Sequence, residues 1–218
     1  MRSEMNGRPA ALGILGGTFD PVHFGHLRAA VEVREALGLA EVRLLPSARP
    51  PHRNAPVASA EHRLEMLRRA THEVDYLVPD DAELRREGPS WMVDTLSDMR
   101  ATRVDAPLVL IIGQDAANGL DTWSRWRRLF DLAHIAVMRR PGAGPDYPEE
   151  LAVEMRRRRT REPGDLLASP SGWVIALEIR QLEISSTGIR ELFSAGRTPR
   201  YLTPGPVIEY VREHGLYA

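Results

Sequence analysis

The residues best placed to do chemistry are His23 and His26, which stand with Gly25 between them at the end of residues 12–26, LGILGGTFDPVHFGH. An apolar run over residues 12–15 enters the pair Gly16-Gly17, then Thr18-Phe19-Asp20-Pro21, and helical spacing starts at Leu27. A strand that breaks at paired glycines and restarts as a helix gathers backbone N–H groups and a helix N-terminus at one point. That geometry suits an anionic phosphate. Two imidazoles beside it can donate hydrogen bonds to phosphoryl oxygens and, as cations, add charge. The glycines form neither the G-x-G-x-x-G dinucleotide fingerprint nor a Walker A loop, and the chain has no lysine to serve as a P-loop cation. Taken singly, each histidine is as readily a satisfied side chain in a helix-start turn.

A second anion site is legible at Ile184-Ser185-Ser186-Thr187-Gly188-Ile189-Arg190, where three hydroxyl side chains meet the start of a helix with an arginine in its first turn. Serine and threonine cap helices whatever the function. Here Gly188 also lets backbone approach closely, and Arg190 offers a fixed cationic fork. Two tryptophans stand out by position. Trp91, in Pro89-Ser90-Trp91-Met92, and Trp123, after Gly113-Gln114-Asp115, both follow glycine- or proline-marked breaks at strand ends, where ligands bind, whereas Trp126 and Trp173 read as core. The loop Pro50-Pro51-His52-Arg53 is, by itself, a rigid polyproline turn with an exposed arginine.

The elements that must position these residues alternate strand and helix. Strands are predicted at residues 12–15, 42–45, 76–78, 108–112, 135–138 and 174–177, and helices at 27–37 (closed by Gly38), 60–74, 90–99 and 146–161. The alternation predicts an α/β fold: a Rossmann-like, doubly wound, mostly parallel sheet with helices on both faces and its site at the carboxyl ends of the strands. One domain over residues 1–218, with 1–10 as a flexible extension, is the economical division. The arginine run at residues 156–159 reads as a solvated helix face, offset by Glu149, Glu150 and Glu154.

Composition closes off several classes. With 43% hydrophobic and 27% charged residues and a net charge of −1, the chain is not built to coat nucleic acid or an anionic membrane. The absence of cysteine removes disulfides, thiol nucleophiles and cysteine-based zinc sites, and the absence of lysine removes Schiff-base and lysyl-AMP chemistry. No apolar signal region or membrane span is visible, so a soluble cytoplasmic protein is expected.

Taken in order, G-G-T-F-D-P-x-H-x-G-H resembles the nucleotidyltransferase superfamily marked by an H-x-G-H box, and within it the bacterial nicotinic acid mononucleotide adenylyltransferases. The I-S-S-T-x-I-R box, the P-P-H-R loop, the G-x-D segment at Gly113, the segment from Arg139 to Gly142 and the stretch 209–217 follow in family order. The likeness therefore covers nearly the whole chain. It implies that His23 and His26 are catalytic and contact the α- and β-phosphates of ATP. It further implies that Gly16, Gly17, Thr18, Phe19, Gly25, Gly113, Arg139, Ser185, Ser186, Thr187 and Arg190 bind ATP. Arg53 would reach the mononucleotide phosphate, Asp115 its ribose or another part of it, and Trp91 and Trp123 its pyridine ring. Helix-start amides near Ser90, Trp91 and Met92 would take the ring carboxylate, which their partial positive charge favours over a carboxamide with donors of its own. Many relatives have a tyrosine and a small polar residue where this chain has Trp91 and Met92.

The reaction so implied is direct in-line transfer of AMP from ATP to nicotinic acid mononucleotide, with Mg²⁺ bridging phosphate oxygens and no dedicated protein cage for it. Other acceptors (phosphopantetheine or nicotinamide mononucleotide), CMP transfer, and a non-catalytic nucleotide sensor remain as alternatives. Metal ligation by the two histidines lacks a visible third ligand, and nucleic-acid binding through residues 156–159 would show as salt-dependent affinity. A homo-oligomer is left open.

Overall fold

The computed structural model describes residues 9–49, 55–139, 144–180 and 182–218, so the expected extension at 1–10 and the loop bearing Arg53 lie mostly or wholly outside the described residues. The strands are β1 (Leu12–Gly17), β2 (Glu41–Pro46), β3 (Leu77–Pro79), β4 (Leu108–Gly113), β5 (His134–Arg139), β6 (Arg159–Thr160) and β7 (Val174–Glu178). The helices are α1 (Phe24–Leu37), α2 (Ala60–Thr71), α3 (Met92–Thr102), α4 (Gln114–Asn118), α5 (Trp126–Leu132), α6 (Glu149–Arg157), α7 (Pro163–Ala168), α8 (Ser186–Ser194) and α9 (Gly205–Glu213). One sheet runs in the order β3-β2-β1-β4-β5-β7-β6, and every pair is parallel.

The aliphatic run of β4 follows from burial on both faces, since successive side chains of a strand point to opposite sides. Val109 and Ile111 pack with Val33 and Leu37 of α1 and Met66 of α2. Leu108, Leu110 and Ile112 pack with Val93 and Leu96 of α3 and with Leu129 and Phe130 of α5. Each such side chain contributes roughly 1.5–3 kcal/mol of burial. The chain leaves β1 for β2 and β3 on one side, then returns to β4 on the other. At that reversal the connections diverge and open a crevice at the carboxyl ends of β1 and β4.

Several predicted boundaries move, each for a local reason. The first helix starts at Phe24 rather than Leu27, because His23 takes the N-cap and draws His26 into the first turn; it stops at Gly38, which is left-handed at φ 64° as expected. The third predicted helix starts at Met92, not Ser90: the Ser90 hydroxyl oxygen accepts from the N–H groups of Ala48 and Arg49 (3.0 and 3.1 Å) instead of capping the helix. The helix expected over 146–161 is shorter, Glu149–Arg157, and the chain then adds an edge strand the sequence did not suggest. There the Arg158 carbonyl accepts from Val174 N–H (2.8 Å) and its guanidinium lies over the Phe130 ring, while Arg156, Arg157 and Arg159 are exposed, as expected of a solvated face. Thr71 ends the second helix before residue 74, bonding its hydroxyl back to the Leu67 carbonyl at 3.0 Å.

Candidate active site

The turn after β1 is built by close approach. A Cβ on Gly17 would lie 3.0 Å from the Phe19 ring, and one on Gly25 would lie 3.0 Å from the His23 ring, so neither position has room for a side chain. Phe19 is held at φ 51°, with its ring buried in the core and set edge-on to His26 at 5.0 Å. Its ring therefore backs the histidine on one side and meets Gly17 on another.

His23 and His26 stack, with ring centroids 3.7 Å apart. The backbone N–H of His23 donates to Nδ1 of His26 at 3.3 Å. A nitrogen that accepts cannot also carry the proton, so neutral His26 holds its hydrogen on Nε2. Burial pulls the His23 pKa down to about 4. Burial first, and then the neighbouring His23, pull His26 down to about 3. The pair thus stands neutral at pH 7 in the free protein, so of the two roles open to the imidazoles it is ready for N–H donation without an added charge. His23 Nδ1 is buried without a hydrogen-bond partner.

The fold brings the serine-rich box to this turn from far along the chain. Ser185 caps α8, accepting from Gly188 N–H at 3.1 Å. Ser186 donates its hydroxyl to the Pro21 carbonyl at 2.9 Å, and Arg190 donates to the Asp20 carbonyl at 2.7 Å and to the Thr187 hydroxyl at 3.2 Å. Ser186 and Arg190 are thus fastened to the histidine turn itself, while Ser185 and Thr187 are exposed.

Beside the turn lies a pocket of about 340 Å³, walled by Gly16, Gly17, Thr18, Ser90, Trp91, Met92, Asp115 and Trp123, with Leu110 and Ile112 among its apolar residues. The Met92 methyl covers Gly16 closely: a Cβ there would meet it at 2.8 Å. Asp94 and Thr95 N–H close on the Trp91 carbonyl (3.0 and 3.3 Å). The amides of Met92 and Val93, one turn too early for an intrahelical acceptor, point along the start of α3. Arg125 bonds Asp94 at 2.6 Å and so clasps the wall bearing Trp91 to the one bearing Trp123. Gly113 caps α4 with open space on its side-chain face, and Arg139 ends β5, its carbonyl accepting from Ile179 N–H at 3.3 Å. Arg53 and residues 140–142 lie outside the described residues.

Two residues of this region carried no signal in the sequence. Arg63, one arginine among many, is fully buried and donates to the carbonyls of Thr18 (2.8 Å), Ser47 (2.8 Å) and Ala58 (3.1 Å), joining the histidine turn to the end of β2. Glu83 is buried at the pocket edge, accepts the Thr95 hydroxyl at 3.1 Å, and has its carboxyl pushed up by burial. Among the described residues no three His, Asp or Glu side chains converge where they could hold a metal ion, and no helix is long and apolar enough to cross a membrane.

This chain matches the cytidylyltransferase-like family model over residues 14–192. A Methylococcus capsulatus protein named "Probable nicotinate-nucleotide adenylyltransferase" is 50% identical over 208 residues, covering 95% of this chain and 99% of that one. A protein of the same name from Aeromonas hydrophila is 47% identical over 206 residues, covering 94% and 96%. Among solved structures, the Plasmodium falciparum nicotinic acid mononucleotide adenylyltransferase complexed with NaAD superposes with a TM-score of 0.72 at 14% identity, covering 95% of this chain and 97% of that one, a likeness of fold. The chain belongs to the cytidylyltransferase-like family and, within it, to the nicotinate-nucleotide adenylyltransferases.

Proposed function

We propose that the protein transfers AMP from ATP to nicotinic acid mononucleotide, giving deamido-NAD and pyrophosphate. One observation carries the reading: residues 16–18 wall the two-tryptophan pocket, and Gly17 lies against the same Phe19 ring that stands edge-on to His26 at 5.0 Å. A mononucleotide seated in the pocket directs its phosphate toward a triphosphate held at the turn. An oxygen of that phosphate attacks the α-phosphorus of ATP, the bond to the β-phosphate oxygen breaks, and pyrophosphate leaves opposite the nucleophile. The nucleophile is already anionic, so no general base is needed, and catalysis is alignment plus stabilisation of charge on the transferring group. Alignment alone can supply about 7–11 kcal/mol.

In this reading His23 and His26 donate to the α- and β-phosphates. The first-turn N–H groups of α8, Thr187 and the free edge of Arg190 hold the β- and γ-phosphates, with Gly16, Gly17, Thr18, Gly25, Gly113 and Arg139 shaping the rest of the ATP site. Trp91 and Trp123 take the pyridine ring between them and the amides of Met92 and Val93 take its carboxylate. Asp115 takes ribose hydroxyls and Arg53 the phosphate. Mg²⁺ arrives as part of the Mg-ATP substrate, held by phosphate oxygens and water, which needs no protein cage. We place this small-molecule reaction in the cytoplasm.

The test is pyrophosphate release with Mg-ATP, offering nicotinic acid and nicotinamide mononucleotides side by side. Strong preference for the acid is expected. Equal use of both would remove the role given to the helix-start amides, and release with neither would overturn the reaction.

A further inference from the structure

We infer that Thr203 is a positioning residue that fixes the proton-bearing nitrogen of His26, acting through the Val22–His23 peptide. Thr203 precedes α9, beyond the stretch matched by the family model, and is 1% exposed. Its hydroxyl donates to the Val22 carbonyl at 2.7 Å. A peptide unit is planar, with its C=O and N–H on opposite sides, so holding the carbonyl fixes the direction of the N–H that follows. That N–H belongs to His23 and donates to Nδ1 of His26 at 3.3 Å. The chain of bonds runs from the Thr203 hydroxyl to the Val22 carbonyl, and from the His23 N–H to the His26 ring.

Its effect is chemical as well as mechanical. Hydrogen bonds in series polarise one another, so a donor on the carbonyl makes the N–H of the same peptide a better donor. The stronger that N–H, the more firmly Nδ1 stays unprotonated, and the proton of neutral His26 is kept on Nε2. The adjoining Phe24 N–H donates to the Leu202 carbonyl at 3.0 Å, so the segment 202–203 grips the turn on both sides of His23.

This inference rests on the phosphate-donor role proposed for His26, and its test separates the two. Thr203→Val, which keeps the shape and loses the hydroxyl, is compared with Thr203→Ser, which keeps the hydroxyl; Thr203→Ala replaces the valine variant if that does not fold. Ring ¹⁵N NMR of His26 reads the tautomer without any substrate. Wild type and Thr203→Ser are expected to show Nε2–H alone, and the hydroxyl-less variant a mixture. Because the net worth of one hydrogen bond corresponds to about a tenfold change, kcat for AMP transfer should fall about tenfold in that variant and recover in the serine one. The KM for the mononucleotide should stay within twofold throughout. An unchanged tautomer without the hydroxyl overturns the inference, as does a serine variant as impaired as the valine one. A tautomer that shifts as expected in a protein showing no AMP transfer upholds Thr203 and refutes the reaction instead.

Discussion

Bringing a triphosphate against two neutral, stacked histidines should draw in at most one proton. Charging His23 at pH 7 from a pKa of about 4 costs ~4 kcal/mol, and charging His26 from about 3 costs ~5 kcal/mol. A unit of phosphate charge about 4 Å away returns ~4 kcal/mol at an effective dielectric of about 20, so one protonation is near balance. The second is not. The ~5 kcal/mol for His26 already contains its repulsion by a charged His23, whose ring centroid is 3.7 Å away, and it exceeds what the phosphate returns. Protonating His26 at Nδ1 also breaks the bond from His23 N–H. His23 is therefore the site of any uptake and His26 stays neutral. Titrating ATP calorimetrically in buffers of different ionisation enthalpy counts the protons directly, and the count should lie below one at pH 7 and fall at pH 8. Uptake approaching two, or a histidine of this pair titrating near its ordinary value in the free protein, would refute the reasoning.

The same shifts set an acid limit to stability. Both folded-state values lie below the unfolded one of 6.5, so above that pH neither state binds the proton and stability is unaffected. From pH 6.5 down to about 4 the unfolded chain takes up protons that the folded one refuses, and urea midpoints should fall through that window, by as much as ~3 kcal/mol from His23; flat midpoints would contradict the shift. Trp123→Ala should raise KM for the mononucleotide about tenfold or more, since stacking on one base-like ring is worth ~1–3 kcal/mol, with KM for ATP unmoved; a change confined to ATP would sink the stacking role. Arg63→Met strips donors from one buried and two half-buried carbonyls and should cost ~3–5 kcal/mol, lowering Tm by about 10 °C. A shift under about 2 °C would show that water replaces the guanidinium.

What was legible in the sequence was what depends on local pattern. The aliphatic run of β4 and the glycine closing α1 each signal their structure within a few residues. The two boxes proposed to hold phosphate stood out because each combines a turn, a helix start and donor side chains in one short string, and the fold fastens one to the other. The charge of the histidines could not be read in this way, because it depends on how the turn folds on itself: Phe19 and His23 are near in sequence, but only the folded turn sets one edge-on to the His26 ring and stacks the other on it at 3.7 Å. Arg63 and Thr203 were equally invisible. Each donates to a carbonyl of the histidine turn, from 45 and 181 residues away, and carbonyls carry no residue identity for a motif to record. The short strand β6 was hidden by its composition, since arginines at an edge look like arginines on a helix.

A chain without lysine must meet a triphosphate by other means, and in the role proposed for them neutral histidines suit the chemistry better than cations would. A fixed positive charge favours ATP in the ground state nearly as much as in the transition state, which tightens binding without speeding transfer. A neutral N–H held in place binds the resting phosphate modestly and strengthens as negative charge grows on the oxygen it faces. That advantage exists only if the donor is already aimed, because swinging a ring during the reaction would forfeit it. The burial that lowers the pKa of His23 and His26 also immobilises them: the stacking of one ring on the other, the edge of Phe19 and the bond from His23 N–H leave His26 one orientation and one tautomer. The low basicity and the aim of the pair thus have one cause, the packing of the histidine turn. A substitution that loosens that packing should raise the histidine pKa values and lower kcat together.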